Sequence, residues 1–262
     1  MLSIAGSDSG GGAGIQADLK AFAACRVHGM TAITAITAQN TVGVTAVEAV
    51  SPELILAQVR AVAQDIGVDA VKIGMLGTVA TIEAVAQAID ELAPGTPVVL
   101  DPVMVSESGA QLLEPSARGA LMDLLLPRVL VITPNLPEAR ALARRAGDAS
   151  AVADDDDAVA LARAVRALGP EVVIVTGGHR EQAVDVFFDG DQVVELPGER
   201  YPNGAAHGSG CTHSSVLAAR LAWGDSPLEA ARVAKRRASE AVRDGLTSVG
   251  AGAGPVDVLG VT

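Results

Sequence analysis

The stretch from Gly204 to Trp223 begins as a loop of small residues and continues as a helix with apolar residues at helical spacing. The run Gly208–Cys211 (GSGC) lies where the loop turns into the helix. A helix start carries unpaired N–H groups and the positive end of the helix dipole, and glycines let the backbone approach an anion closely. This run predicts a backbone site for an oxyanion or phosphate, with the Cys211 thiol at its edge. The alternative is an ordinary glycine turn capped by Ser or Thr.

Polar side chains at the ends of other predicted strands indicate what chemistry such an anion would undergo. Asp101 follows an apolar strand, and Asn135 and Glu138 follow the next strand along the chain. Oxygen ligands beside a phosphate site suit Mg²⁺ and phosphoryl transfer. Taken alone, Asn135 and Glu138 are as compatible with a helix cap and a surface acid as with a role in this chemistry.

Two common nucleotide-binding signatures are absent from the sequence. It contains no G-x-x-x-x-G-K-[ST], and Gly10–Gly14 does not complete a G-x-G-x-x-G because Ile15 stands in the place of the last glycine. These absences disfavour a P-loop NTPase and a dinucleotide-dependent dehydrogenase. His207 and His213 have no C-x-x-C or H-E-x-x-H partner, so the sequence predicts helix-capping roles for them rather than metal binding.

The composition narrows the class of protein. The 262 residues carry a net charge of −12, which argues against nucleic acid or an anionic membrane as a partner. Hydrophobic residues make up 49% of the chain, but no apolar run has the length of a membrane span and no signal peptide is recognisable. Cys25 and Cys211 form no C-x-x-C, which favours a reducing compartment. We therefore expect a soluble, cytoplasmic protein.

The elements that must position these residues alternate between strands and helices. The predicted strands are Leu2–Ala5, Thr31–Ala38, Asp69–Ile73, Pro97–Leu100, Val129–Ile132 and Glu171–Val175. The alternation predicts a mainly parallel sheet with helices on both faces, and a ligand site at its carboxyl edge, where the polar residues fall. Ala183–Leu196 departs from it as an antiparallel hairpin with an Asp-Gly turn. Because no linker or repeat interrupts the pattern, we expect one domain over residues 1–262.

Seven motifs in one order give the chain a specific resemblance. They are AGSDSGGGAGIQADLK at 5–20, TAITAQNT at 34–41, KIGML at 72–76, DPVM at 101–104, TPNLPEA at 133–139, GGH at 177–179 and HGSGCT at 207–212. Together they closely resemble the hydroxymethylpyrimidine/phosphomethylpyrimidine kinases of thiamine biosynthesis. The resemblance implies a three-layer, ribokinase-like α/β fold and usually a homodimer. It also implies ATP- and Mg²⁺-dependent phosphorylation of 4-amino-5-hydroxymethyl-2-methylpyrimidine and then of its monophosphate.

The resemblance assigns a pyrimidine-binding role to one group of positions. These residues are Gln39, Asp18, Gly6, Met75 and Val103. Gln39 would hydrogen-bond the aminopyrimidine edge, because an amide offers a donor and an acceptor side by side.

Three further groups of positions take nucleotide, metal and catalytic roles by the same resemblance. The nucleotide would contact Asn135, Glu138, Thr176 and Gly178. Mg²⁺ would be held at Asp101 and Glu138. The catalytic group would be an anion hole at Gly208, Ser209 and Gly210 together with Cys211, which stands where most sugar kinases of this fold have a base Asp.

The ionisation of the Cys211 thiol decides whether it can act as a base. A helix N-terminus lowers a thiol's pKa, so Cys211 could be a thiolate that accepts the proton of the substrate hydroxyl. An incoming triphosphate would raise that pKa again. We therefore expect base catalysis to contribute modestly and the backbone anion hole to matter more.

Two departures from the family remove positive charge near the triphosphate. The family usually has lysine at the positions of Glu107 and Thr176, and Arg180 or a second cation could take over that role. Thr176 also occurs in related pyridoxal kinases, so pyridoxal phosphorylation is an alternative, although Gln39-Asn40-Thr41 favours the pyrimidine. The lost lysines also leave open a non-catalytic, pyrimidine-sensing relative, against which the intact anion-binding run argues.

Overall fold

The computed structural model describes residues 1–144, 157–177, 183–202 and 204–261. Its strands are β1 (Leu2–Asp8), β2 (Met30–Gln39), β3 (Val44–Ala49), β4 (Val71–Ile73), β5 (Val98–Leu100), β6 (Val131–Ile132), β7 (Val172–Val175), β8 (Asp185–Phe188) and β9 (Val193–Leu196). Its α-helices are α1 (Gly14–Ala24), α2 (Pro52–Asp65), α3 (Val79–Asp90), α4 (Ala117–Ala120), α5 (Leu136–Ala143), α6 (Ala158–Arg166), α7 (Ser209–Ala222) and α8 (Pro227–Arg243). A π-helical turn (Leu121–Leu125) and a 3₁₀ turn (Leu126–Arg128) continue from α4.

In the described part of the chain the strands form one nine-stranded sheet in the order β3-β2-β1-β4-β5-β6-β7-β8-β9. The strands from β2 to β7 in that order are parallel. β3 pairs antiparallel with β2, and β8 and β9 form an antiparallel hairpin beside β7. The mainly parallel sheet and the hairpin are thus confirmed. The sequence analysis misses β3, because its side chains are almost all exposed and no buried pattern marks it.

Helices cover both faces of the sheet. Along the central strands, alternate side chains enter two separate hydrophobic cores. Leu100 and Val173 face the core under α2 to α6, whereas Val99 and Ile174 face the core under α1, α7 and α8. Burial on both faces explains why these strands are continuously apolar. The three-layer α/β arrangement is therefore confirmed.

The order of the strands fixes where a ligand can bind. β1 has β2 on one side and β4 on the other, so the chain reverses its direction across the sheet at β1. In open α/β sheets, crevices form at the carboxyl ends of strands beside such a reversal. No helix in the described ranges has the length and apolar composition that crossing a bilayer requires.

A buried ion pair joins the elements beneath that edge. Nζ of Lys72 on β4 lies 2.8 Å from Oδ1 of Asp18 on α1, and both side chains are fully buried. Asp18 also accepts hydrogen bonds from the hydroxyls of Ser3 on β1 and Ser215 on α7, at 2.6 and 2.7 Å. Burial lowers the pKa of Lys72, but Asp18 and two further acidic groups outweigh burial and raise it. One carboxylate therefore fixes two strands and two helices against each other.

Replacing Asp18 with asparagine should reduce the free energy of unfolding by roughly 3–5 kcal/mol, because it leaves the charge of Lys72 buried without a partner. Denaturant unfolding measures this loss. Glu91→Gln is the control, since it breaks the exposed ion pair between Arg60 and Glu91 and solvent screens that pair. Equal losses in the two variants would contradict a structural role for the buried pair.

Candidate active site

A cavity of about 460 Å³ lies at the carboxyl edge of the parallel strands. Residues at or just after the ends of the six parallel strands line it: Gln39, Asp8, Met75, Asp101, Thr133 and Thr176. The start of α7 closes one side of the cavity. The polar residues that the sequence places at strand ends therefore meet around one space.

Helix α7 begins without a side-chain cap. Its N-cap is Gly208, whose φ of 85° lies in the left-handed region that favours glycine. A Cβ at this position would collide with the carbonyl oxygen of Gly12. The alternative of a turn capped by Ser or Thr is therefore wrong.

The first turn of α7 offers backbone donors to the cavity. The N–H of Ser209 donates to the carbonyl of Ala206 at 3.0 Å, whereas the N–H groups of Gly210 and Cys211 follow without an intrahelical acceptor. Ser209, Gly210 and Cys211 all line the cavity. This arrangement can bind an anion by the helix dipole and by two adjacent N–H groups.

The Cys211 thiol is a neutral group at neutral pH. Burial raises its pKa to about 12, and the nearby carboxylates of Asp18 and Asp101 add to that effect. Lys72 and the N–H of Gly14 lower the pKa but do not offset the rise. Burial beside two acids thus outweighs the lowering by the helix N-terminus, and Cys211 is not the thiolate that the sequence allows.

Asn135 and Glu138 form a reciprocal cap at the start of α5. Oδ1 of Asn135 accepts from the N–H of Glu138, and Oε2 of Glu138 accepts from the N–H of Asn135, both at 2.9 Å. The remaining oxygen of Glu138 accepts from the N–H of Met104 at 3.3 Å. The helix-cap interpretation is confirmed, but the surface-acid interpretation is wrong because Glu138 is 8% exposed.

Two buried carboxyl groups that line the cavity influence each other. Burial, followed by the charge of Asp101, raises the pKa of Glu138 to about 8. Burial also raises the pKa of Asp101, although Lys72 and the hydroxyl of Ser214 oppose the change. A cation bound between the two groups would relieve this mutual repulsion.

The donor set fits Mg²⁺ only if phosphates complete it. The described residues contain no cluster of three or more His, Cys, Asp or Glu that could hold a metal ion. Mg²⁺ is commonly held by one or two carboxylates, with water and substrate phosphates as its other ligands. Asp101 and Glu138 beside the α7 donors meet that requirement.

Four of the five predicted pyrimidine-binding residues line the same cavity, namely Gln39, Gly6, Met75 and Val103. Oε1 of Gln39 accepts a hydrogen bond from the hydroxyl of Thr37 at 3.1 Å. A Cβ on Gly6 would lie 2.9 Å from the terminal methyl of Met75, so glycine leaves room for that side chain. The fifth residue, Asp18, does not line the cavity, because it is fully buried beneath it in the ion pair with Lys72.

Neither histidine singled out in the sequence caps a helix. Nε2 of His207 lies 3.0 Å from Oδ2 of Asp8, and Asp8 also accepts from the backbone N–H groups of Gly10, Gly12 and Ala13. This carboxylate ties the glycine loop after β1 to the loop before α7. The sequence analysis missed Asp8, although its place two residues before three glycines is a signal for a carboxylate that organises a loop.

The predicted nucleotide-binding positions lie near β6 and β7. Asn135, Glu138 and Thr176 line the cavity, and Glu107 lines it as well. Gly178 and Arg180 fall outside the described residues. His213, on α7, lies on the same wall beside Asp185 and Lys235, two cavity residues that the sequence analysis also missed.

The chain matches a known family along nearly its whole length. The family model of phosphomethylpyrimidine kinase matches residues 8–257. The chain belongs to this family. It is 49% identical to the hydroxymethylpyrimidine/phosphomethylpyrimidine kinase of Rhizobium meliloti over 259 residues, which are 97% of this chain and 95% of that protein.

Solved structures of phosphomethylpyrimidine kinase and of pyridoxal kinase share the ribokinase-like fold. The phosphomethylpyrimidine kinase of Clostridium difficile is 40% identical with a TM-score of 0.78, covering 92% of this chain and 98% of that one. The pyridoxal kinase of Staphylococcus aureus in complex with AMP-PCP and pyridoxal is 32% identical with a TM-score of 0.87, covering 99% and 93%. Both of these relatives are kinases, and this chain is a kinase as well.

The raised pKa of Glu138 predicts how the stability of this phosphomethylpyrimidine kinase family member depends on pH. Its protonated form is favoured in the folded state, so the stabilisation is complete below about 4.5 and is lost as the pH rises through about 8. Without Mg²⁺, the free energy of unfolding should fall across this range, and Glu138→Gln should flatten the decline. Denaturant titrations at several pH values measure it. The exposed Glu83→Gln is the control; an unchanged decline in Glu138→Gln would refute the assignment.

The two glycines of the anion site should differ in their tolerance of alanine. Gly208→Ala should lower the free energy of unfolding by at least about 1–2 kcal/mol, because it places a Cβ at positive φ and against Gly12. Gly210→Ala should fold normally, since the nearest atom to its Cβ is Oδ2 of Asp101 at 3.8 Å. Thermal unfolding compares the two. Equal stability would show that the turn does not require glycine at 208.

Proposed function

We propose that this kinase transfers phosphate from ATP to the hydroxymethyl group of 4-amino-5-hydroxymethyl-2-methylpyrimidine and then to the resulting monophosphate, in thiamine biosynthesis. The observation that carries the proposal is the cavity itself. Around one space it gathers a backbone anion site, two buried carboxyl groups, an amide and a flexible thioether. Such an arrangement suits an acceptor ring and a phosphate donor in one space.

The ATP end of the proposed reaction rests on a few groups of this chain. Asp101 and Glu138 would hold Mg²⁺, and Asn135 and Thr176 would position the nucleotide. A bound Mg²⁺ neutralises the charge of the phosphate oxygens. The first-turn N–H groups of α7 would stabilise the charge that develops on the transferred phosphoryl group.

The pyrimidine end of the site would read the ring through Gln39. Its side-chain amide can meet the ring nitrogen and the exocyclic amine of an aminopyrimidine together. Gly6 leaves room for Met75, whose flexible side chain can pack on a flat ring. Val103 completes this wall of the cavity.

We also propose that residues 1–262 form one domain of a cytoplasmic homodimer. Strands drawn from Leu2 through Leu196 share one sheet, which supports a single domain. Ile36 on β2, Val42 in the turn after it and Val47 on β3 are 56%, 60% and 50% exposed. A second copy of the chain could cover these apolar side chains. The net charge of −12 continues to argue against nucleic acid and membrane partners.

A comparison of three acceptors tests the proposal. With Mg-ATP, the protein should release ADP on adding the hydroxymethylpyrimidine or its monophosphate, and much more slowly on adding pyridoxal. The likeness to the Staphylococcus aureus pyridoxal kinase makes pyridoxal the necessary rival. Equal or faster turnover of pyridoxal would favour that activity instead. If none of the three acceptors causes the release of ADP, a non-catalytic sensor would be favoured.

Cys211→Ala should retain turnover within about 10²-fold of the wild type, the lower limit of what a general base contributes. The thiol has a pKa of about 12, so it is protonated at neutral pH, and a loose phosphoryl-transfer transition state needs little help from a base. Steady-state kinetics across the pH range measure this effect. Loss of one limb of the pH–rate curve in this variant would instead identify Cys211 as the base.

A further inference from the structure

His213 is a buried polar side chain whose ring makes no hydrogen bond to the described residues. It lies on α7 one turn beyond Ser209, lines the cavity and is 4% exposed. Neither of its ring nitrogens has a hydrogen-bond partner among the described residues. Buried polar groups are nearly always satisfied, so an unsatisfied imidazole in a cavity wall points to a ligand that satisfies it.

One carboxylate holds this imidazole beside a lysine. Nε2 of His213 lies 3.4 Å from Oδ2 of Asp185, outside hydrogen-bond geometry but close enough for attraction. Oδ1 of Asp185 accepts from Nζ of Lys235 at 2.6 Å and from the N–H of Gly177 at 2.8 Å. Nε2 of His213 faces Asp185, and Nδ1 is the ring nitrogen that remains available to a ligand.

The excess of acidic side chains around the cavity means that a phosphate there needs hydrogen-bond donors such as this imidazole. Acidic side chains that line it, apart from Asp185, are Asp8, Asp101, Glu107, Glu138 and Glu199. Lys72 is already paired with Asp18 beneath the floor. Lys72, Arg200 and Lys235 also line the cavity, so its acidic side chains outnumber its lysines and arginine, and the family's two lysines are here Glu107 and Thr176.

The position of His213 selects between two sources of phosphate. A phosphate oxygen could belong to the nucleotide or to the pyrimidine monophosphate. Gln39 lies on β2, the first of the six parallel strands in the order of the sheet. Asp185 lies on β8, next to β7, which is the last of them. The His213 wall is thus on the side of Thr176, away from the pyrimidine end.

We infer that His213 is a phosphate-binding residue: with Lys235, and held by Asp185, it donates to a non-bridging oxygen of the nucleotide's phosphate chain. The inference rests on the proposed function, since ATP is the source of that chain. Lys235 then supplies positive charge, and His213 a hydrogen-bond donor, on a wall where the lysines usual for the family are missing. The buried ring lowers the stability of the free protein, and the bound nucleotide supplies its missing hydrogen bond.

Calorimetric binding of AMP-PCP, adenosine and the pyrimidine monophosphate to His213→Leu tests the inference. AMP-PCP should bind roughly ten- to hundredfold more weakly than to the wild type, because a hydrogen bond to a charged group is lost. Adenosine and the pyrimidine monophosphate should bind as before. His213→Gln keeps a polar donor at the site and should recover part of the affinity for AMP-PCP. It also serves as the test variant if His213→Leu does not fold.

Thr212→Val is the matched control. Thr212 is the neighbouring residue on α7 and is fully buried, and its hydroxyl has no hydrogen-bond partner among the described residues, but it does not line the cavity. This variant should bind AMP-PCP like the wild type. His213→Leu should be at least as stable as the wild type on heating, since it removes unsatisfied buried nitrogens.

Three outcomes would overturn the inference. They are unchanged AMP-PCP binding in His213→Leu, an equal weakening for adenosine, and a loss confined to the pyrimidine monophosphate. The proposed function fails separately, if the wild type itself does not bind AMP-PCP. Binding by the wild type with no effect of His213→Leu would leave the kinase proposal standing and remove only the role of His213.

Discussion

The buried ion pair between Asp18 and Lys72 is the constraint on which the rest of the site depends. It joins α1 to β4, and the hydroxyls of Ser3 and Ser215 bring β1 and α7 to the same carboxylate. Because the first turn of α7 carries the anion site, its position relative to β1 and β4 is set by this one charge pair. Removing one partner of such a pair strongly lowers the free energy of unfolding, so the pair holds these elements in fixed relative positions.

Burial, with repulsion between acidic groups added to it, governs the rest of the cavity. Burial is the largest cause of the raised pKa values of Asp101, Glu138 and Cys211, and the charge of Asp18 or Asp101 adds to each. These surroundings favour protonated, neutral groups, and a cation with a phosphate would replace those protons. Binding of metal and nucleotide is thus expected to be coupled to proton release. The thiol remains neutral, so the electrostatic contribution of the first turn of α7 comes from its backbone N–H groups.

The sequence predicts the fold well because its signals are local and repeated. Apolar runs such as Val172–Val175 are buried on both faces, and that burial leaves a pattern in the chain. The strand β3 leaves none, since it is exposed. In the site, the cap of Asn135 and Glu138 is predictable from spacing. The pKa of Cys211 and the cluster of Asp185 with Lys235 are not, because they depend on residues that meet only through the tertiary fold.

The most direct test of the account follows the product itself by ³¹P NMR. The protein is incubated with Mg-ATP and the hydroxymethylpyrimidine, and the phosphorus signals are recorded over time. We expect a pyrimidine monophosphate signal first and a pyrimidine diphosphate signal after it, each accompanied by ADP. ADP that appears with inorganic phosphate alone, or no phosphorylated pyrimidine at all, would contradict the account.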